Sequence, residues 1–211
     1  ILIAIPSLNQ NQFQNVFNRI QRYKLPIFKV PSIDELASGK SRIDTLKPVS
    51  IEDLLKRDTV SPDISLLRKS VDNKVVCVTG GGGSIGSQLC RQIFLLKPKA
   101  LIIIDNCEFN LYKIKKELEN NRLDDIQVNY LLLDCTDEKQ LIYEFSKYGV
   151  NVVFHSAAYK HVPLVEINPI NGIKNNVFST LAICEASSKT KVSAVILISS
   201  DKAVRPTNIM G

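Results

Sequence analysis

Histidine is nearly missing from this sequence: His155 and His161 are the only two in 211 residues, and both lie in one segment. Two neighbouring histidines with no Cys-x-x-Cys pair do not make the ligand set that zinc sites draw on, so no metal is expected. The five cysteines (Cys77, Cys90, Cys107, Cys135, Cys184) fall mostly in strand-like and helix-like stretches. They read as small, reduced core residues of a cytosolic protein rather than a disulfide framework. Long hydrophobic runs are absent too. Ala100 to Ile104 is among the longest, far short of the roughly 20 apolar residues that span a bilayer. No segment has the charged, apolar and small-residue order of a secretory signal. No block of Lys and Arg is interleaved with aromatics, which argues against nucleic acid as a partner. Internal repeats and low-complexity segments are also lacking.

What is present is ordinary globular composition, 45% hydrophobic and 23% charged, with a net charge of +6. That excess divides as +4 in residues 1–70 and +2 in 71–211, which fits a solvated basic face or a surface near anionic lipid or phosphate. Ile1–Ile5 and Ile27–Val30 read as short strands, and Phe13, Val16, Phe17 and Ile20 fall on one face of a helix between them. Residues 1–39 are therefore expected to be a partial β-α-β remnant of a nucleotide-binding-like unit. Ser32 with Glu35, and Ser50 with Asp53, are spaced as capping pairs. Residues 40–73, carrying Pro48 and Pro62, read as a partly helical linker with the boundary near Asp72-Asn73. From Lys74 strand and helix alternate. The expected strands are Val75–Thr79, Ala100–Asp105, Val128–Asp134, Val150–His155 and Ala194–Ser199, and the expected helices Ile85–Leu96, Leu111–Asn121, Glu138–Tyr148 and Ile170–Ser188. Continuous apolar strands separated by helices predict an α/β fold, a Rossmann-type doubly wound parallel sheet over residues 74–211.

Thr79-Gly80-Gly81-Gly82-Gly83-Ser84-Ile85-Gly86 follows the first of these strands and opens a helix, with Gly80, Gly83 and Gly86 in G-x-x-G-x-x-G spacing. Glycine lets the backbone turn tightly and approach a pyrophosphate, whose charge meets the helix N-terminus. The strand–turn–helix setting distinguishes this from a bare glycine-rich turn, and no Lys-Ser or Lys-Thr follows as a P-loop requires. Thr79, Gly80, Gly83, Ser84, Ile85 and Gly86 are thus expected to line a dinucleotide. Asp105 ends the second strand, 19 residues after Gly86. A carboxylate there accepts hydrogen bonds from ribose hydroxyls and repels a 2′-phosphate, favouring NAD over NADP, with Lys113 and Lys115 nearby as a counterweight. Asp134 ends the third strand and is placed for the adenine amino group. After the fourth strand, small Ser156, Ala157 and Ala158 let the backbone lie against the cofactor, while Lys160 and His161 bring polar groups to the crevice. His155 reads as a satisfied core residue. Asn175-Asn176 are poor helix-interior residues and are expected to pack on the end of the fourth strand.

Ser200-Asp201-Lys202 follow the fifth strand, on the side of the sheet where open α/β folds bind ligands. The sequence then closes at Met210-Gly211 without a stop signal, as an active site cut in half. Two Tyr-x-x-x-Lys strings, Tyr112 with Lys116 and Tyr143 with Lys147, lie on helices away from that edge and read as chance surface matches. At the place where a proton-shuttling tyrosine is expected stands Met210, which transfers no proton.

Thr79 to Gly86, HSAAYKHVPLVE at 155–166, Asn175-Asn176 and ISSDKAVRPTNIMG at 198–211 closely resemble the UDP-N-acetylglucosamine 4,6-dehydratases, the polysaccharide-biosynthesis branch of the extended short-chain dehydrogenases/reductases. Met210 in the tyrosine position is similar to the long, membrane-anchored members. The resemblance implies a protein held at the inner face of a bacterial membrane by helices upstream of Ile1, this part of it lying in the cytoplasm without spanning, and a homo-oligomer at full length. It implies NAD and a UDP-sugar as ligands. In that chemistry NAD takes a hydride from sugar C4, the C5 proton is removed, the C6 hydroxyl leaves as water, and the hydride returns to C6. By resemblance Asp201 is the acid, Lys202 the base at C5, and Ser200 the hydrogen-bond donor to the C4 oxygen. Ala157, Ala158 and Lys160 fall to the cofactor, and His161 and Asn176 to the substrate. The lysine four positions beyond Met210 and the UDP-sugar subdomain lie outside this sequence, so the 211-residue chain is expected to be inactive alone. Two other readings stay open here: a nucleotide-sugar epimerase or reductase, which keeps a catalytic tyrosine, and a non-catalytic NAD-binding module, which has no need of Asp201-Lys202.

Overall fold

The structure, a computed structural model, describes residues 1–5, 8–23, 25–30, 47–48, 63–120, 126–204 and 206–210. The chain divides into two compact units, Ile1–Pro62 and Asp63–Gly211. The expected capping pairs at Ser32/Glu35 and Ser50/Asp53 lie outside the described residues.

In the first unit β1 (Leu2–Ile3) runs parallel to β2 (Phe28–Lys29), with α1 (Gln10–Ile20) between them in sequence. The helix starts where Asn9 and Gln12 form a reciprocal capping box, each side chain accepting from the other's backbone N–H at 3.0 Å. Phe13 is buried and its ring stacks on Phe17, four residues on, at 6.5 Å. A third strand, β3 (Lys47–Pro48), pairs antiparallel with β2 inside the span read as linker. Its proline cannot donate to a ladder and sits on an edge strand, where that costs least.

The second unit opens with α2 (Ile64–Val71), capped by Asp63, whose carboxylate accepts from the N–H groups of Ser65 and Leu66. The division between the units therefore precedes this helix rather than following it near Asp72. The reason is packing: Val71 is buried in the same cluster as Val76 and Val78.

Five parallel strands follow: β4 (Val75–Thr79), β5 (Ala100–Asp105), β6 (Gln127–Leu132), β7 (Val152–His155) and β8 (Ala194–Leu197), in the order β6-β5-β4-β7-β8. This is the doubly wound Rossmann arrangement, and its chain order reverses between β4 and β7. Alternating residues of each central strand feed two cores. Cys77, Ile102, Ile104 and Val153 join Leu141 and Phe145 of α5 (Glu138–Tyr148) and Ile183 of α8 (Ser179–Ser188) on one face. Val76, Val78, Leu101 and Ile103 join Cys90 and Ile93 of α3 (Ser84–Leu95) and Ile114 of α4 (Glu108–Asn120) on the other. Burial on both faces is why β4 and β5 read as unbroken apolar runs instead of alternating.

Two expectations need correction. The helix expected over residues 170–188 starts on Pro169 as α7 (Pro169–Ile173), passes through a π-helical turn at Lys174–Phe178 and is completed by α8, while a separate short helix, α6 (Val162–Ile167), precedes it and ends at Asn168. Of the cysteines, Cys77, Cys90 and Cys135 are buried, but Cys107 and Cys184 are exposed; all five are free thiols. Burial pushes the Cys90 and Cys135 thiols up to about 12. No helix among the described residues is long and apolar enough to cross a membrane, and no group of three metal-ligating side chains occurs among them.

Candidate active site

The carboxyl ends of β4 and β7 adjoin a cleft of about 610 Å³, lined by Gly80, Gly83 and Gly86 on one side and Ala158, Lys160 and His161 on the other. The glycine loop is shaped by contacts that admit no side chain. Gly80 adopts φ +62°, and a Cβ there would stand 2.7 Å from Ala157 Cα. A Cβ on Gly86 would stand 2.0 Å from the Gly80 carbonyl oxygen and 2.8 Å from Ser156 Oγ. The loop thus folds against both the helix it opens and the end of β7. Gly83 occupies the N-cap of α3 with no side chain to cap it, and no acidic residue stands in the first turn. The first N–H groups of that helix are left facing the cleft, which is the electrostatic form of a phosphate site.

At the end of β5, Asp105 is buried and anchored at both oxygens, Oδ2 accepting from Gly82 N–H and Oδ1 from Cys107 N–H, each at 2.9 Å. A carboxylate keeps further lone pairs beyond these two bonds, and Asp105 lines a neighbouring cavity of about 280 Å³ with Asn106, Asn110 and Asp134. Asp134 does not end β6, which stops at Leu132. It sits in the turn beyond, its Oδ1 accepting from both Thr136 N–H and Thr136 Oγ1 at 2.9 Å. The two cavities share Gly80, Gly83, Asp134, Ser156, Ala158, Tyr159 and Asn175. An elongated ligand therefore finds one channel running from the end of β5, across the glycine loop, to the end of β7.

Thr79 and His155 need to be taken together. Thr79 is completely buried, and its Oγ1 lies 2.7 Å from His155 Nδ1; it locks β4 to β7 rather than reaching the cleft, contrary to its expected contact with the cofactor. On the other side of the ring, Nε2 meets Thr180 Oγ1 at 3.2 Å. Thr180 Oγ1 donates its proton to the Asn176 carbonyl, and Ser179 Oγ donates to the Asn175 carbonyl. With that hydroxyl proton committed, Nε2 must be the N–H that donates to Thr180, and Nδ1 the acceptor of the Thr79 hydroxyl proton. Every polar atom of His155 is satisfied in the neutral ring, and burial drives its pKa down to about 4 from 6.5.

A histidine that is harder to protonate when folded makes the unfolded chain the better proton binder between those values. Stability is then full above the unfolded pKa and falls as pH drops through 6.5 towards 4. The expected loss between pH 7 and pH 5 is about 2 kcal/mol. Denaturant unfolding at the two pH values checks it, with His155→Gln expected to flatten the difference. An unchanged slope in that variant would rule His155 out as the source.

Beyond β7, residues 156–161 cross the cleft. Ser156 Oγ donates to the Thr79 carbonyl at 2.6 Å. Lys160 is exposed, with Nζ 3.4 Å from Ser84 Oγ at the start of α3. Asn176, expected at the substrate, forms a two-way clamp on the backbone of Tyr159. Its Oδ1 accepts from Tyr159 N–H at 2.8 Å and its Nδ2 donates to the Tyr159 carbonyl at 3.0 Å, while Asn175 Nδ2 donates to Asn176 Oδ1 at 3.0 Å. The π-helical turn is what brings both asparagines to the β7 end at once; such turns are often found at functional sites. Packing there was expected of them, but the break in the helix was not legible.

Past β8, a short turn covers Asp201–Ala203. Lys202 N–H donates to Ser200 Oγ at 3.1 Å, and Lys202 Nζ donates to the Lys160 carbonyl at 3.1 Å. The side chain of Asp201 lies outside the described residues. Met210 is half-buried and its N–H donates to Asn208 Oδ1. The ends of β4, β5 and β7, the turn after β6 and the segment after β8 thus converge, and Lys202 reaches the loop that carries Lys160. Tyr112 and Tyr143 are exposed on α4 and α5, their lysines over their rings. Sequence reasoning missed Asn168, Asn171 and Lys174, which line the cleft with Asn175. The i, i+3 and i+4 spacing of 171, 174 and 175 was a usable signal.

The profile of the family described as Polysaccharide biosynthesis protein matches residues 76–211. The chain belongs to that family. The capsular polysaccharide biosynthesis protein CapD of Staphylococcus aureus is 38% identical over the whole chain, which spans 35% of CapD. A UDP-glucose 4-epimerase of Rickettsia rickettsii is 34% identical over 142 residues, and the UDP-N-acetylglucosamine 4,6-dehydratase (inverting) of Campylobacter jejuni 30% over 141; each match covers 66% of this chain and 40% of the relative. Among solved structures, Pen from Bacillus thuringiensis matches with a TM-score of 0.60 and 29% identity, covering 67% of this chain and 42% of that one. The relatives are thus nucleotide-sugar dehydratases and epimerases together with polysaccharide biosynthesis proteins.

Proposed function

We propose that the full-length protein is an NAD-dependent UDP-N-acetylglucosamine 4,6-dehydratase acting in polysaccharide biosynthesis, and that this chain supplies its cofactor cradle and its acid–base residues. The observation that carries the proposal is the seat of Lys202. It follows β8 in a Ser-Asp-Lys run and reaches the cleft wall at the Lys160 carbonyl. The cradle fits a dinucleotide: glycines that exclude any Cβ from Gly80 and Gly86, an uncapped helix N-terminus for the pyrophosphate, and Asp105 at the far end of the channel. Gly80, Gly83, Ser84, Ile85, Gly86, Asp105, Asp134, Ala157, Ala158 and Lys160 would hold it, and bound NAD supplies hydride acceptance at sugar C4 and hydride return at C6. The chain's own residues handle protons. Ser200 hydrogen-bonds the C4 hydroxyl, whose proton passes to solvent as the ketone forms; Lys202 removes the proton at C5 and returns it there when the hydride adds at C6; and Asp201 protonates the departing C6 hydroxyl. Met210 has no proton to exchange, which supports the dehydratase over an epimerase that relies on a tyrosine at that place.

Product analysis of UDP-N-acetylglucosamine incubated with the full-length protein and NAD tests this. A 4-keto-6-deoxy sugar is expected. A C4 epimer would transfer the site to the epimerases, and no conversion would leave a cofactor-binding module.

A further inference from the structure

Among the described residues, side chains join the segment after β8 to the run that follows β7 at both of its ends. At one end Lys202 Nζ donates to the Lys160 carbonyl at 3.1 Å. At the other, Ile209 N–H donates to Glu166 Oε1 at 2.7 Å, next to Met210. Glu166 projects from α6, whose first turn lines the cleft through Leu164 and Val165. The Lys160 end is held in turn: Asn176 accepts from the N–H of the adjoining Tyr159 and donates to its carbonyl. The residues that would perform proton transfer thus take their position from groups on a different part of the chain.

We infer that Glu166 is a positioning residue that seats the Ser200–Met210 segment by accepting from the Ile209 N–H, at the opposite end of the segment from the bond of Lys202 to the Lys160 carbonyl. This rests on the proposed role of Lys202 and adds to it a side chain that acts through the backbone of the segment carrying Lys202. The chemistry asked of Glu166 is that of an acceptor, not a charge. Glutamine at 166 keeps a carbonyl oxygen in the place of Oε1, whereas alanine leaves the Ile209 N–H to solvent.

The test uses the full-length protein, with steady-state kinetics and amide hydrogen exchange of the 198–210 segment. Glu166→Ala is expected to lower kcat about 10- to 100-fold, the scale at which small misplacements of reacting groups act, and to leave the KM for NAD unchanged. It also speeds exchange at Ile209. Glu166→Gln restores kcat to within about threefold of wild type and restores Ile209 protection. If Glu166→Ala loses protection throughout β4–β8, it has unfolded, and Glu166→Asp, whose acceptor stops one methylene short of the Ile209 N–H, carries the test with the same expected fall in kcat. The inference is overturned if alanine retains kcat, if glutamine and alanine fall equally, if Ile209 exchange is indifferent to residue 166, or if Glu166→Asp, where it carries the test, is fully active. Absence of any 4-keto product from wild type defeats the proposed function instead, and Ile209 exchange still decides the seat.

Discussion

Gly86→Ala is expected to lower affinity for the dinucleotide by about two orders of magnitude. The added methyl would be 2.0 Å from the Gly80 carbonyl oxygen and 2.8 Å from Ser156 Oγ, distances that real Cβ atoms essentially never show. Neither neighbour is a side-chain tip that can swing away. The Gly80 oxygen belongs to a peptide held by its own bond from Gly83 N–H at 3.0 Å, and Ser156 Oγ is committed to the Thr79 carbonyl. The loop must therefore move away from α3, and the helix N–H groups lose their aim at the phosphates. Two charge-assisted hydrogen bonds lost at about 1.5 kcal/mol each correspond to roughly a hundredfold in Kd. Titration of the protein with NADH, followed by fluorescence, measures it. Gly149→Ala is the control. Gly149 also has positive φ, +63°, at the C-cap of α5, but a Cβ there meets nothing within 4 Å. That substitution is expected to cost about 1 kcal/mol of stability and no affinity. If both variants bind NADH as wild type does, the glycine loop is not a phosphate cradle.

Lys202→Met is expected to cut dehydration of UDP-N-acetylglucosamine by about 10² to 10⁴, the usual contribution of a positioned general base. Methionine fills a similar space on a flexible stem but can neither take a proton nor donate to the Lys160 carbonyl. Cofactor affinity is expected to be unchanged, since Lys202 lines neither the β5 end of the channel nor the glycine loop. The step assigned to Lys202 has its own readout, exchange of the sugar C5 hydrogen with deuterated solvent. Loss of that exchange, with the first hydride transfer still observable as a change in NADH absorbance, identifies the base. Retention of C5 exchange in the methionine variant would remove Lys202 from the role.

Much of this architecture was written in local pattern. The apolar runs at 75–79 and 100–105, separated by amphipathic stretches, foretold a parallel sheet because strands covered on both faces have no polar alternation to show. The glycine loop was legible for a similar reason: only glycine tolerates the φ of residue 80 and the approach of residue 86 to it, so the requirement is stamped on residue type. His155 was read as a core residue, and so it is. The partner of Asn176 is not legible in the sequence, because its residue type announces hydrogen bonding without naming the partner. The partner, the Tyr159 peptide, lies 17 residues away and reaches it only through a π-helical turn. Thr79 misled in the same way: a strand-end threonine beside a glycine loop looks like a ligand contact until the histidine across the sheet claims its hydroxyl.

What the sequence determined by itself was whatever depends on one residue's own stereochemistry or on short-range periodicity: strand and helix alternation, the phosphate-binding turn, the absence of a usable tyrosine at Met210. The tertiary structure alone decided which polar groups meet. Lys202 on the Lys160 carbonyl and Ile209 on Glu166 join residues more than 40 positions apart. Such pairs form because parallel strands need crossover connections, which bring the ends of β7 and β8 side by side while leaving them remote along the chain. A hydrogen bond across that distance leaves no periodic trace, so the Ser200-Asp201-Lys202 run is plain in the sequence and the groups that meet it from across the sheet are not.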